Sequence, residues 1–180
     1  NTDKVVVDDY AGAFNAVEYL IKTGCKRIAY LGATSLLPIA NNRRMGYEDA
    51  LRKYNLPVDQ ELSRVCDTVE LAREVIPEML SQSTPPDAFF CINDEVAAYC
   101  TQFVTASGFV IPDDVSVCGF TNSYLTEVTY PKLTSVDQHG YKMGKVAAQL
   151  LINRIEGKEM KEGVVSRLIK TELVVKGSTR

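Results

Sequence analysis

The sequence feature that most constrains the fold is an alternation of short apolar runs with amphipathic segments of helical length. The runs predicted as strands are residues 28–31, 65–66, 88–92, 115–120, 133–136, 164–169 and 173–175. Most of them are apolar without polar alternation, which is typical of strands that are buried on both faces. The pattern therefore predicts an α/β fold in which a parallel sheet is sandwiched by helices.

The segments between these runs carry helix signals. Apolar side chains at largely helical spacing predict a helix from about residue 42 to residue 54. Asp67, followed by Glu70 in a capping-box arrangement, predicts the start of a helix that runs to about residue 81, with Pro77 as a kink or a stop. We expect both helices to cover the sheet.

Two further helices are predicted. Asn93-Asp94-Glu95 places polar and acidic groups at the start of a helix that continues to Gly108, a favourable C-terminal cap. Residues 141–155 predict a strongly amphipathic helix with one apolar side.

Polar residues follow the predicted strands. They are Asp67-Thr68, Asn93-Asp94 and Thr121-Asn122. Because ligands of parallel sheets bind outside the carboxyl ends of the strands, these pairs predict a polar ligand site along one edge of the sheet.

The charge of the chain argues against direct contact with nucleic acid. The net charge is −3 at pH 7, whereas binding to a polyanion usually needs a basic face. No apolar stretch approaches the ~18 residues of a membrane span, so no membrane partner is expected. The first residues, 1–4, do not resemble a signal peptide, and the missing initiator Met predicts a longer parent protein.

Patterns for catalysis and metal binding are not found. His139 is the single histidine, and the glycine-rich phosphate-binding motifs are absent. His139 is assigned a capping role at a helix start, and the pairs Asp8-Asp9 and Asp113-Asp114 are assigned turn or cap roles. We therefore predict that the chain is not an enzyme and needs no metal or cofactor.

The cysteines are odd in number and contain no C-x-x-C pair, which argues against a disulfide framework or a zinc site. They are interpreted as buried thiols in a reducing cytoplasm, which sets the predicted location. The residues concerned are Cys25, Cys66, Cys91, Cys100 and Cys118.

A series of motifs runs through nearly the whole chain. It comprises VVVDDYAGAFNAVEYLIKTGCKRIAYLG at 5–32, RRMGY at 43–47, FCIND at 90–94, IPDDVSV at 111–117, PKLTSVDQ at 131–138 and ELVVKGS at 172–178. In this order and spacing the motifs resemble the LacI/GalR family of bacterial transcription regulators, with Cys25 where that family usually has His.

The resemblance implies a periplasmic-binding-protein-like fold of type I, with two α/β subdomains, a small molecule in the cleft between them, and a homodimer. It also implies a helix-turn-helix headpiece that contacts operator DNA, which is absent here. The chain resembles mainly the C-terminal subdomain, with its core in 9–137 and 171–180. Residues 139–170 are crossover elements that would pack on the missing N-terminal subdomain.

The resemblance also implies which residues contact the effector. Arg43 matches the arginine of the cleft, and the alternative is a solvated charge at a helix start. Asn93 matches an asparagine that contacts the ligand, a role compatible with an N-cap. Gln138 matches a crossover position lining the cleft, with ordinary loop polarity as the alternative.

Two positions depart from the family pattern. Thr121 stands where the family commonly has an aspartate that accepts ligand hydrogen bonds, and Thr68 stands where an aromatic residue often stacks on the ligand. Both remain candidate effector contacts through their hydroxyl groups, but the charge-assisted acceptor and the stacking surface are lost, which disfavours a simple hexose effector.

The stretch after the strand at 115–120 resembles a region that family members use for dimer contacts. Its candidate interface residues are Tyr124, Leu125, Val128 and Tyr130, with burial over the domain's own core as the alternative. The apolar side of the helix at 141–155 would lose its native partner, so we expect it to pack against another chain or to rearrange.

The predicted function is the effector-sensing and dimerisation part of a regulator that controls operator binding allosterically. With one wall of the cleft missing, the chain alone is expected to bind effector weakly or undetectably. The main alternative is a periplasmic solute-binding protein of a sugar transporter, against which the free cysteines and the motif series argue. The other is an α/β enzyme, for which no reactive residue is found.

Overall fold

Within residues 2–34, 36–157 and 163–180, the part of the chain described by the computed structural model, the strands form two separate sheets. The strands are β1 (Lys4–Val7), β2 (Ile28–Gly32), β3 (Ser63–Val65), β4 (Ala88–Cys91), β5 (Ser116–Thr121), β6 (Thr134–Asp137), β7 (Ser166–Ile169) and β8 (Glu172–Val174). The helices are α1 (Asp9–Lys22), α2 (Pro38–Lys53), α3 (Val69–Leu80), α4 (Asp94–Ala106), α5 (Leu125–Val128) and α6 (Gly140–Ile155), with a 3-10 turn at Gln60–Leu62.

The larger sheet has the strand order β3-β2-β4-β5-β6-β8. Every neighbouring pair in it is parallel except β6 and β8, which are antiparallel. Strands β1 and β7 form a separate parallel pair. The predicted α/β architecture with a parallel sheet is confirmed. The strand predicted at 173–175 is present as β8, but its antiparallel direction at the edge of the sheet was not predicted.

The core lies on both faces of the larger sheet. Strands β2 and β4 are buried along their whole length, as their unbroken apolar runs predicted. Helices α1 and α2 pack against one another, and so do α3 and α4. The ring of Tyr30 on β2 stacks on Tyr47 of α2 and on Phe90 of β4, which joins a helix to two strands. All five cysteines are buried free thiols, as predicted.

Two helix starts differ from the prediction. Helix α2 begins at Pro38 and not near residue 42, because proline at the first helical position has the required φ and lacks only an N–H that would be unpaired there. Asp67 was predicted to be the N-cap of α3, but it is not. Thr68 is the cap, and its Oγ1 accepts a hydrogen bond of 3.3 Å from the backbone N–H of Leu71. Pro77 does not end α3, which continues to Leu80.

Helix α6 lies against β1 and not on the larger sheet. Leu150 is buried, whereas Tyr141 and Ile155 are 90% and 76% exposed. The apolar side of α6 has therefore not rearranged onto the core, and its packing against another chain stays a prediction. Residues 158–162 of the predicted crossover region lie outside the described residues.

A polar cluster on the outer side of α1 and α2 holds these helices together at their ends. Glu18 accepts hydrogen bonds from Lys22 at 2.9 Å, from Lys53 at 2.7 Å and from the hydroxyl of Tyr54 at 3.0 Å. The hydrogen bonds from the two lysines lower the pKa of Glu18 from 4.5 to about 2.

The Glu18 cluster predicts a pH dependence of stability. Because the folded-state pKa is depressed, the contribution of Glu18 is present above its ordinary pKa of 4.5 and is lost as the pH falls towards about 2. We expect Glu18→Gln to remove part of the fall in the free energy of unfolding over this range, measured by urea denaturation between these two pH values. The loss should be smaller in high salt, which screens surface pairs. Identical pH profiles for the two proteins would contradict the assignment.

Candidate functional site

The candidate site lies along the carboxyl edge of β4, β5 and β6. These strands are parallel neighbours, so the residues that follow them meet at one edge of the sheet. The residues concerned are Asn93 after β4, Thr121 at the end of β5 and Gln138 after β6. Arg43 reaches the same place from α2, since its guanidinium contacts the carbonyl of Ile92.

Arg43 is buried in an ion pair. Its Nε donates to Oδ1 of Asp9 at 2.8 Å, its Nη2 lies 2.7 Å from the same oxygen, and its Nη1 donates to the carbonyl of Ile92. The guanidinium carbon lies 3.7 Å above the ring centre of Phe120, a cation–π contact. Burial lowers the pKa of Arg43 and raises that of Asp9, and the ion pair opposes both shifts. The alternative interpretation of Arg43 as a solvated surface charge is wrong.

Asn93 combines a capping role with a free donor. Its Oδ1 accepts a 2.8 Å hydrogen bond from the backbone N–H of Val96 and thereby caps α4. Among the described residues, its Nδ2 has no hydrogen-bond partner, so both amide N–H groups remain able to donate. Asn93 can therefore cap α4 and still donate a hydrogen bond from its amide nitrogen, as the prediction expected.

Thr121 and Gln138 are brought into contact. The Nε2 of Gln138 donates to the Oγ1 of Thr121 at 3.3 Å, and the two side chains are partly buried. Thr121 has a φ of 135° and the following Asn122 a φ of 55°. Residues other than glycine rarely have a positive φ, and for a β-branched residue such as Thr121 it is an outlier. Such backbone strain is characteristic of functional sites, because the surrounding structure must enforce it.

Thr68 is not brought together with the other four residues. It follows β3, the outermost strand, which β2 separates from β4. Three strand spacings, about 14 Å, separate β3 from β5, where Thr121 lies. The Thr68 side chain is exposed and its hydroxyl accepts the capping hydrogen bond of α3. An effector contact by Thr68 stays a proposal that would require a ligand extending along the sheet edge.

The prediction named Asp94 among the polar residues that follow the strands, but it missed the contacts that Asp94 and Asp9 make at the site. Asp9 was assigned a turn or cap role, but only Asp8 caps α1, by accepting from the backbone N–H of Ala11 at 3.0 Å. Asp94 is buried and accepts from the hydroxyl of Ser135 and, at 2.6 Å, from the backbone N–H of Ser123. No local sequence signal distinguishes these carboxylates from helix-start residues, since their partners lie far along the chain.

His139 behaves differently from the prediction. It occupies the N-cap of α6 in a left-handed conformation with φ of 52°, but its side chain makes no capping hydrogen bond. Its Nδ1 lies 3.4 Å from Asp137, whose other carboxylate oxygen accepts from the His139 backbone N–H at 2.6 Å. Both residues line an open cavity of about 420 Å³, together with Gly140, Tyr141 and Lys142. The crossover from β6 to α6 is thus fixed by Asp137 and not by a histidine cap.

The predicted dimer residues lie on and around the short helix α5. Tyr124, Val128 and Tyr130 are 76%, 70% and 95% exposed, whereas Leu125 is half-buried. Burial over the domain's own core, the alternative interpretation, is therefore wrong for three of the four. An interface role for them stays a prediction.

The sequence comparisons agree with this geometry. The profile of the periplasmic binding protein-like domain matches residues 17–179. The chain is 35% identical over 177 residues to the HTH-type transcriptional repressor CytR of Escherichia coli K12, and 32% identical over 182 residues to the HTH-type transcriptional repressor PurR of Vibrio campbellii. These matches cover 98% and 99% of this chain but 51% and 53% of the relatives, so the chain spans about half their length.

Solved structures show the same relationship. The transcriptional regulator CelR in complex with cellobiose superposes with a TM-score of 0.90 at 30% identity, over 98% of this chain and 54% of that one. A LacI-family regulator from Enterococcus faecium with bound ribose superposes with a TM-score of 0.88 at 26% identity, over 98% of this chain and 65% of that one.

Fold and comparisons together define a domain of the periplasmic-binding-protein-like class. The chain belongs to that family, and the resemblance to LacI/GalR regulators is confirmed. The relatives named above are regulators and not transport proteins, which does not favour the solute-binding alternative. No helix within the described residues is long and apolar enough to cross a membrane.

Proposed function

We propose that this chain is the effector-sensing and dimerisation part of a LacI/GalR-type bacterial transcription regulator, acting in the cytoplasm without enzymatic activity. The observation that carries the proposal is the convergence of Arg43, Asn93, Thr121 and Gln138 at the carboxyl edge of the sheet, where ligands of such sheets bind. The effector is a sugar or a sugar-like metabolite, because Asn93, Thr121 and Gln138 supply neutral amide and hydroxyl groups at this edge and two structural relatives hold cellobiose and ribose.

The mechanism we propose is allosteric. The larger sheet forms one wall of the ligand cleft, and the pair β1–β7 with α6 belongs to the opposite subdomain. Three connections join the two bodies, at residues 8, 138–139 and 170–171. A ligand that contacts both walls stabilises one relative orientation of the two bodies, provided that it binds that orientation better than the other. A dimer would transmit this change to paired operator-binding headpieces outside this chain.

The exposed surfaces support an assembly role. Tyr124, Val128 and Tyr130 form an exposed aromatic and aliphatic group around α5, and aromatic residues are enriched at protein interfaces. We propose that they contact a second copy of the regulator. Light scattering of the parent protein tests this, with a shift from dimer to monomer in a Tyr124→Ser/Tyr130→Ser variant as the supporting outcome.

The effector site is tested through Asn93. Asn93→Asp keeps the Oδ1 acceptor that caps α4 but replaces the free Nδ2 donor with an oxygen. We expect about a tenfold or larger loss of affinity, since one hydrogen bond to a buried ligand contributes about 1–3 kcal/mol. The measurement is calorimetric titration of the full-length parent protein with a panel of mono- and disaccharides that includes ribose and cellobiose.

The matched control for Asn93→Asp is Asn15→Asp, the same chemical change on an exposed position of α1. It should bind the same saccharide with unchanged affinity. If the full-length protein binds a saccharide and Asn93→Asp binds it equally well, the site is placed wrongly. If no saccharide in the panel binds, the proposed effector class is wrong.

A further inference from the structure

We infer that Asp9 makes the effector site selective for neutral ligands over anionic ones. This inference rests on the proposed function and deepens it. Arg43 is a residue that would attract a carboxylate or a phosphate, because its guanidinium lies at the end of β4, on the carbonyl of Ile92. The structure shows that its charge is already compensated from within the chain, by a carboxylate on a different helix.

The ion pair between Arg43 and Asp9 is buried on both sides. Each side chain is 6% exposed, and the Nε and Nη2 groups of Arg43 converge on the same Asp9 oxygen at 2.8 Å and 2.7 Å. A ligand anion would have to compete with Asp9 for the guanidinium in a poorly hydrated place. A displaced Asp9 would then be left as an unpaired buried charge, which is costly.

The N–H groups of Arg43 that are not yet hydrogen-bonded suit a hydroxyl group of a ligand. A guanidinium carries five N–H donors, and the hydrogen bonds to Asp9 and to the carbonyl of Ile92 leave donors on both terminal nitrogens. The amide nitrogens of Asn93 and Gln138 and the hydroxyl of Thr121 lie along the same edge. Neutral donors and acceptors of this kind bind a polyol without bringing a second charge into the site.

Other charges at the same edge strengthen the selection. Asp94 follows β4 and Asp137 ends β6, and among the described residues neither is hydrogen-bonded to a lysine or an arginine. Lys176, whose Nζ donates to Asn122 Oδ1 at 3.1 Å, is likewise paired, with Glu127 at 2.7 Å, so Asp94 and Asp137 add negative charge beside two compensated cations. An approaching anion is therefore repelled, whereas a neutral hydroxylated molecule can accept from Arg43 and Asn93 and donate to the partly exposed carboxylate of Asp137.

The test is to remove the charge of Asp9 and to probe the site with inorganic phosphate. Full-length wild-type protein, Asp9→Asn, Arg43→Gln and Asp9→Asn/Arg43→Gln are titrated calorimetrically with phosphate up to about 10 mM. We expect no saturable binding to the wild type. Asp9→Asn should gain binding by about tenfold or more, because Arg43 is then an unpaired cation, and the double variant should lose this gain. Asp9→Glu, which keeps the charge, should behave like the wild type.

Three outcomes would overturn the inference: phosphate binding to the wild type that Arg43→Gln abolishes, no gain in Asp9→Asn, or a gain that persists without Arg43. Circular dichroism establishes that each variant is folded. If Asp9→Asn does not fold, the wild type is compared with Arg43→Gln. Phosphate binding to the wild type that depends on Arg43 would then still overturn the inference. A failure here is distinct from failure of the proposed function, because saccharide binding that depends on Asn93 would persist.

Discussion

Arg43→Met is expected to lower the free energy of unfolding by about 3–5 kcal/mol, the cost of removing one partner from a buried ion pair. The substitution leaves the carboxylate of Asp9 buried without its counter-ion and removes the donor to the carbonyl of Ile92. It also removes the cation from the face of the Phe120 ring, at 3.7 Å. Urea denaturation of the chain, followed by circular dichroism, measures the change.

The ion pair itself is isolated by a double variant. Asp9→Leu/Arg43→Met replaces both charges with apolar side chains and should recover much of the lost stability, because no buried charge is then left unpaired. The matched control is Arg52→Met on the same helix. Arg52 pairs with Glu48 at 2.8 Å and with Asp49 at 2.7 Å but is exposed, so its loss should cost less than about 1 kcal/mol. Equal losses for the two single variants would show that the Arg43 pair is not buried in solution.

The secondary structure was predictable to the extent that it is local. The unbroken apolar runs at β2 and β4 and the polar pair Asn93-Asp94 that follows β4 are each encoded in consecutive residues, and these predictions hold. The first residue of a helix was harder to predict. Asp67 and Thr68 are both residue types that cap helices, and only the backbone geometry decides between them. Strand β8 lies antiparallel at the edge, and no feature of its own three residues encodes that direction.

The grouping of the site residues was largely predictable, but their electrostatics were not. Of the five residues to which the family resemblance pointed, Arg43, Asn93, Thr121 and Gln138 lie together at one edge of the sheet, whereas Thr68 does not join them, and their contact with an effector stays a proposal. That Arg43 is already paired could not be read from the sequence, because Asp9 lies 34 residues away and its DD pair looks like a helix start. Only the packing of α1 against α2 brings the two side chains together.

The RRMGY motif acquires a physical explanation from that packing. Arg43 and Tyr47 are one helical turn apart and point to the same side of α2, Arg43 to the site and Tyr47 into the core. The hydroxyl of Tyr47 donates to the carbonyl of Ile28 at 2.9 Å, which fixes α2 on the sheet. Gly46 lies against α1, so one turn of helix serves the site, the core and the contact between helices.

Gly46→Ala is accordingly expected to lower the free energy of unfolding by about 3 kcal/mol, the upper part of the range for overpacking a close contact. An added Cβ would collide with the backbone carbonyl of Tyr10 and would lie 2.9 Å from the backbone nitrogen of Phe14. Backbone atoms cannot turn aside as a flexible side chain can, so α1 and α2 would have to separate. The displacement would also pull Arg43 away from Asp9, and loss of effector affinity should accompany the loss of stability.

The control is Gly144→Ala in the middle of α6, where nothing lies within 4 Å of the added atom. Because alanine favours a helix more than glycine does, this variant should be neutral or more stable by up to about 1 kcal/mol. Thermal denaturation of both variants beside the wild type measures the contrast, which separates steric collision from helix propensity. If Gly46→Ala is as stable as Gly144→Ala, α1 and α2 are not in close contact, and the structure then gives no reason why glycine lies between Arg43 and Tyr47.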